Sequence, residues 1–301
     1  FGTAACTTAC SVTNADVTIS GENTGDNFAS SIVVGDMNND GRADIVTVAQ
    51  SYSSNTGRVY FFYNDGSYPA AAGNADSIMT GEGTAAYPFG DGLNVADMNA
   101  DGRVDLVVGA YGYGGGYGRA YIVYNDGAYP SGLVNADIVI IGEISSGYFG
   151  SSLTPGDFNA DGKIDLIVGA HNYSSGTGRV YLYETRDNFV WQLQPQSSLS
   201  GSLRTNPSFS GQELKMTGEV GSGKFGSALA SGDFNADGKI DLVVGAPEYS
   251  TNTGRAYIFY SDGHLAAAAT NADVIITGET TSNYFGFSLA SGDFNADGKT
   301  D

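Results

Sequence analysis

The chain has 301 residues, among them 44 glycines and 19 tyrosines, and only 15 % of its residues are charged. That mix favours many short strands joined by turns over helices. A formal net charge of −20 excludes a nucleic-acid binder, which needs a basic face, and no apolar run approaches the roughly 20 residues of a membrane-spanning helix.

Residues 1–14 resemble nothing later and read as a separate N-terminal segment holding the only cysteines, Cys6 and Cys10. A short-range disulfide in an exported protein is the preferred reading; two free thiols and pairing with another chain are the alternatives. No signal-peptide pattern opens the sequence, which is read as a mature form or a fragment.

From Asn14 a repeat begins. An Asn-Ala-Asp turn (Asp16, Asp76, Asp137, Asp273) precedes a short strand closed by Gly-Glu at Glu22, Glu82, Glu143, Glu219 and Glu279. A loop then leads to an aromatic residue, Phe28, Phe89, Phe149, Phe225 or Phe285, followed by glycine in all copies but the first. A short strand runs into an acidic loop, and an apolar run such as Leu166, Ile167 and Val168 follows, the pattern of a strand buried on both faces. It ends in Gly-Ala at Gly109, Gly169 and Gly245. After a Ser/Gly-rich loop, Gly-Arg opens a tyrosine-rich strand.

The acidic loop reads D-[MF]-N-x-D-G-[RK]-x-D and occurs five times, with first residues at 36, 97, 157, 233 and 293 and hence spacings of 61, 60, 76 and 60. A period near 60 is a unit of about four short strands. Oxygens at positions 1, 3, 5 and 9 suit a hard cation, and the position-6 glycine permits the turn that brings the next carbonyl inward. Calcium is the expected occupant, since it takes roughly six to eight oxygen ligands, with up to five ions in the five loops. A single copy reads equally as a solvated Asp-Gly turn, but five with every ligand position kept do not. An EF-hand loop would need an acidic ligand at position 12, where Thr47, Val108, Val168 and Val244 stand inside strands.

The third unit carries an insertion over 184–212, including Phe189, Trp191, Pro195 and Pro207, read as a decorated loop or extra hairpin, or as a partner contact.

The Phe-Gly pairs, the acidic loops and Gly-Ala-Pro at Gly245, Ala246 and Pro247 resemble the FG-GAP repeat of the integrin α-subunit β-propeller, over roughly residues 15–301. Gly-Ala-Pro is complete only once. The resemblance implies an all-β β-propeller of about 60-residue four-stranded blades, here about 23–82, 83–143, 144–219, 220–279 and a partial 280–301, with an orphan outer strand at 16–22. The metal loop would join a blade's first and second strands.

By that analogy Asp36, Asn38, Asp40 and Asp44 bind one Ca²⁺ with the Arg42 carbonyl. Asp97, Asn99, Asp101, Arg103 and Asp105 form the second set, and Asp157, Asn159, Asp161, Lys163 and Asp165 the third. The fourth set is Asp233, Asn235, Asp237, Lys239 and Asp241, and the fifth Asp293, Asn295, Asp297, Lys299 and Asp301. Propellers of this family usually close with about seven blades. The chain is therefore read as a fragment, with completion by a neighbouring chain through open blade edges as the alternative.

The functional expectation is a non-catalytic, calcium-dependent adhesion or binding scaffold, extracellular or at the cell surface. A protein or glycan ligand would sit on the face opposite the metal loops; a self-assembling fibre or surface layer and a lectin-like module are the alternatives. His171 and His264 occupy unlike contexts and read as surface or loop residues. Tyr52, Tyr113, Tyr173 and Tyr249 recur sixteen residues after each loop begins, either packing blade on blade or offering rings to a ligand. The repeating Gly-Glu glutamates read the same two ways.

Overall fold

The computed structural model describes residues 15–82, 89–185 and 214–301. Cys6, Cys10, Phe189 and Trp191 lie outside the described residues.

Sixteen strands in the described residues form four antiparallel sheets of four strands each. Blade 1 is β1 (Phe28–Gly35), β2 (Asp44–Ala49), β3 (Arg58–Phe62) and β4 (Ser77–Thr80); blade 2 is β5 (Leu93–Ala96), β6 (Asp105–Ala110), β7 (Arg119–Val123) and β8 (Ile138–Ile141). Blade 3 is β9 (Phe149–Gly156), β10 (Asp165–Ala170), β11 (Arg179–Tyr183) and β12 (Leu214–Thr217); blade 4 is β13 (Leu229–Gly232), β14 (Asp241–Ala246), β15 (Arg255–Phe259) and β16 (Val274–Thr277). Within each blade the strands pair in sequence order, so the first four acidic loops each lie between a first and a second strand. The loops between second and third strands emerge at the opposite end.

The second strands β6, β10 and β14 are buried at every position, as their continuous apolar runs require of a strand covered on both faces. First strands of successive blades lie side by side, β1 by β5, β5 by β9 and β9 by β13. The cores therefore form between blades. Val46, Val48, Phe61 and Met79 of blade 1 pack with Leu106, Val108 and Tyr121 of blade 2, and equivalent clusters join blades 2 and 3 and blades 3 and 4.

The Phe-Gly and Gly-Ala pairs meet at these junctions. Phe149 stands edge-on to Tyr181 and Tyr183 of its own blade, at centroid distances of 5.3 and 6.1 Å. Phe225 repeats the contact with Tyr257 and Phe259, and Phe28 with Tyr60 and Phe62. The glycine after Phe149, Gly150, takes φ +87° and lays its carbonyl against Gly109 of blade 2, where a Cβ would overlap it. Gly169 meets Gly226 and Gly245 meets Gly286 in the same way.

The expected outer strand at 16–22 forms no sheet. Its one pairing is a parallel bridge of Ser20 to Ala71 of the next blade, closed by Ser20 N–H to Ala70 O at 2.9 Å and Ala72 N–H to Ser20 O at 2.8 Å. Thr80 with Gly132 and Thr217 with Ala268 repeat that bridge, but β4 and β12 also have a third strand beside them, which 16–22 lacks among the described residues. At the other end, Gly292 and Asp301 exchange two backbone hydrogen bonds around the fifth acidic loop.

Candidate metal loops and the opposite face

Each acidic loop folds by hydrogen-bonding its own backbone. In the first, both carboxylate oxygens of Asp36 accept, one from Asp40 N–H at 3.0 Å and the other from Gly41 N–H at 2.8 Å. Asn38 Oδ1 also accepts from Asp40 N–H, and Asp40 Oδ1 accepts from Arg42 N–H. The same four bonds recur around Asp97, Asn99 and Asp101; around Asp157, Asn159 and Asp161; around Asp233, Asn235 and Asp237; and around Asp293, Asn295 and Asp297. Position 7 enters through its N–H in every loop, and the Arg42 and Arg103 guanidinium groups also reach the carbonyls of Asn64 and Asn125.

Position 9 does something further. Asp44, Asp105, Asp165 and Asp241 are fully buried. One oxygen of each accepts from the position-2 N–H (Met37, Met98, Phe158 or Phe234) at 2.8–3.1 Å. The other accepts at 2.7–2.8 Å from a residue just beyond the third strand: Asn64, Asn125, Thr185 or Ser261. This carboxylate thus ties the loop to a strand two places along the sheet. The exposed Asp301 carboxylate accepts from the position-2 and position-3 N–H groups, Phe294 and Asn295, and has no third-strand partner among the described residues.

Among the described residues no three His, Cys, Asp or Glu side chains are already gathered as a metal cluster. The donor set nevertheless fits a hard cation: three carboxylates and an amide oxygen belong to one nine-residue turn. Burial, opposed by the Asn125 and Met98 N–H groups and reinforced by the charges of Asp101 and Asp97, pushes Asp105 up to about 6. Burial likewise takes Asp165 to about 7, with Asp161 and Glu184 adding to it, and raises Asp241. A bound dication would offset that excess negative charge.

On the opposite face the repeating glutamate, arginine and tyrosine form a clasp between blades. Arg58 of β3 donates to Glu22 at 2.7 Å, Tyr60 OH donates to the same glutamate at 2.8 Å, and the Arg58 guanidinium lies 3.6 Å above the ring of Tyr52. Glu82 with Arg119 and Tyr113, Glu143 with Arg179 and Tyr173, and Glu219 with Arg255 and Tyr249 repeat it. In the last three the glutamate and arginine come from successive blades, and in the first Glu22 comes from the segment that precedes blade 1. Burial opposes the charge on Glu22, but Arg58 and Tyr60 outweigh it and lower its pKa. The glutamates therefore tie to the arginine of the following blade, and each tyrosine supports that arginine from within its own blade, a packing role of the kind expected. Three Asn-Ala-Asp aspartates are structural too: Asp76, Asp137 and Asp273 accept from Tyr63, Tyr124 and Tyr260 N–H at the ends of third strands.

His171 is a loop residue, as expected, but a covered one, lying 5.5 Å from the Tyr148 ring and 6.4 Å from that of Tyr111. Burial, with the Lys224 charge nearby, lowers its pKa to about 4. His264 is exposed at an Asp-Gly turn, its backbone N–H donating to Asp262.

Four-stranded blades that pack first strand against first strand, with an acidic turn in each, define a β-propeller repeat protein. The FG-GAP repeat family matches residues 149–183 and 225–259, and the FG-GAP-like repeat family matches residues 36–108. The chain is built of FG-GAP repeats and is related to integrin α subunits. It is 29 % identical over 241 residues to integrin alpha-5 of Xenopus laevis, covering 74 % of this chain and 20 % of that one. It is 36 % identical over 216 residues to phosphatidylinositol-glycan-specific phospholipase D of Mus musculus, covering 65 % of this chain and 24 % of that one. The chain thus spans about a quarter of the phospholipase relatives it matches. The V. cholerae biofilm matrix protein Bap1 aligns over 80 % of this chain and 39 % of its own at 18 % identity, with a TM-score of 0.35, too distant to bear on function.

Proposed function

We propose that the chain is a non-catalytic calcium-binding β-propeller scaffold that works outside the cell, presenting a ligand surface on the face opposite its acidic loops. The observation that carries this reading is the identical acidic loop at the same strand junction in every blade, its last carboxylate buried and shared with a third strand. Positions 1, 3, 5 and 9, with the carbonyl of position 7, would hold the ion, so the first site is Asp36, Asn38, Asp40, Arg42 and Asp44. Calcium supplies charge neutralisation and a rigid turn, no bond-breaking chemistry.

The loops have three carboxylates each and no bidentate glutamate, which places affinity in the roughly 10⁻⁴–10⁻³ M range of extracellular modules. Such sites fill outside a cell and stay largely empty in cytosol. The test is a calcium titration by calorimetry beside thermal melts in calcium and in EDTA. Saturable binding with a melting temperature that rises with free calcium is expected; an unchanged melt and no heat would overturn the reading.

A further inference from the structure

The loops on the opposite face do not close alike in every blade. In blade 3, Asn172 precedes the recurring Tyr173 and pins its loop to the loop that enters the blade, donating Nδ2–H to Ser146 O at 2.7 Å and backbone N–H to Gly147 O at 3.2 Å. In blade 1, Ser51 N–H donates to Asp26 O at 3.0 Å, and Ser51 Oγ accepts from Asn27. In blade 4 the corresponding residue is Glu248, whose carboxylate has no proton to donate to a carbonyl. Among the described residues neither bond to the entering loop forms.

A cavity of about 450 Å³ opens where those bonds would be, lined by Val220, Gly221 and Ser222 on one side and by Glu248 to Asn252 on the other. The lining is an aromatic ring (Tyr249), a carboxylate (Glu248), an amide (Asn252) and the hydroxyls of Ser222, Ser250 and Thr251. Among the described residues the Glu248 carboxylate and the three hydroxyls have no hydrogen bond, and no cation is among the lining residues, although the Arg255 guanidinium lies 3.8 Å over the Tyr249 ring.

The backbone marks the same place. Ser250, Thr251 and Asn252 all take positive φ, at 48°, 58° and 61°. The equivalents of Thr251 in the other blades are Ser54, Gly115 and Ser175, so only here is a β-branched residue held in the left-handed region.

We propose that this cavity is a binding site for a neutral saccharide. A carboxylate accepting from adjacent sugar hydroxyls, an amide and hydroxyls that both donate and accept, and a ring beside an apolar valine match the alternating polar and C–H faces of a pyranose. The unpaired carboxylate and the acidic chain disfavour anionic sugars. The inference deepens the scaffold reading by naming a ligand class, and it rests on that reading.

The test is calorimetry on the full chain, in calcium, against neutral hexoses, 6-deoxyhexoses and N-acetylhexosamines, free and as disaccharides. At least one is expected to bind saturably with a Kd of about 1 mM or tighter. Glu248→Gln should weaken it about tenfold, the loss of a charged hydrogen-bond acceptor. Ser222→Trp should abolish it by filling the cavity, and Glu248→Asn should abolish it by restoring the amide bridge seen at Asn172. Unchanged melting temperatures for the three variants, or a higher one for Glu248→Asn, show that the fold is intact. No binding across the panel, or binding indifferent to Ser222→Trp, overturns the site. Calcium titration of the same sample separates the two ideas: a calcium-dependent melt without sugar binding sinks the saccharide site and leaves the scaffold standing.

Discussion

Asp44 and Asp40 stand four residues apart in one loop, and the structure assigns them different work. Asp44 is fully buried and accepts from Met37 N–H at 2.8 Å and Asn64 N–H at 2.7 Å. Truncation to alanine leaves two backbone donors without their acceptor, each in a hydrogen bond to a charged group worth about 1.5–3 kcal/mol. Water can reach Asn64 in part, so Asp44→Ala should cost about 3–4 kcal/mol even in EDTA. Asp40 is exposed and holds only Arg42 N–H and the Asn38 amide. Asp40→Ala should cost less than about 1 kcal/mol in EDTA and should show its main effect in calcium, as a smaller gain in stability on metal binding. Urea denaturation of both variants and the parent, each in EDTA and in calcium, separates the roles. If Asp44→Ala in EDTA fell within about 0.5 kcal/mol of the parent, the buried carboxylate would not be tying the loop to the third strand, and the reasoning fails.

Other consequences follow from the junctions. Arg58→Lys keeps the charge but loses the planar group that both stacks on Tyr52 and reaches Glu22; a loss of about 1–2 kcal/mol in the same urea assay is expected, although lysine preserves the ion pair on paper. Gly109→Ala puts a methyl group into the carbonyl of Gly150 and should cost about 3 kcal/mol, or prevent soluble expression, whereas Gly102→Ala, with open space around it, should cost only the strain of its φ of +85°. His171, with its pKa lowered to about 4 against an unfolded value of 6.5, binds a proton more readily in the unfolded chain. Stability linked to it is therefore complete above about pH 6.5 and is lost as pH falls toward 4, by up to about 3 kcal/mol. His171→Gln should flatten that part of the melting-temperature profile; an equally steep profile in the variant would remove His171 from the account.

The blades were legible in the sequence because their signals are periodic. The loop spacing near 60 marked repeating units of about four strands. The FG-GAP resemblance implied that the acidic loop joins first and second strands, as it does in all four blades. The apolar run at Leu166, Ile167 and Val168 gave a fully buried strand. The clasp was half visible. Glu22 and Arg58 each recur with the repeat, but 36 residues separate them, and only the packing of one blade on the next brings them together. The second role of Asp44 was hidden for the same reason, since its partner Asn64 lies 20 residues on and contributes a backbone N–H that no side-chain pattern records. At 16–22 the residue pattern of an outer strand was present without a strand, because pairing needs a neighbour and the pattern does not supply one.

The glycine contacts between blades have a consequence for how such chains vary. Gly109 against Gly150, Gly169 against Gly226 and Gly245 against Gly286 are the same backbone joint made three times, and side chains have little part in it. A joint of this kind lets a blade recognise its neighbour and carries no information about how many neighbours there are. Duplication or deletion of a whole unit within the gene would leave every remaining seam intact. Blade number can then drift while the seam stays fixed, and the outward loops of each unit are free to diverge one at a time, as Glu248 already has.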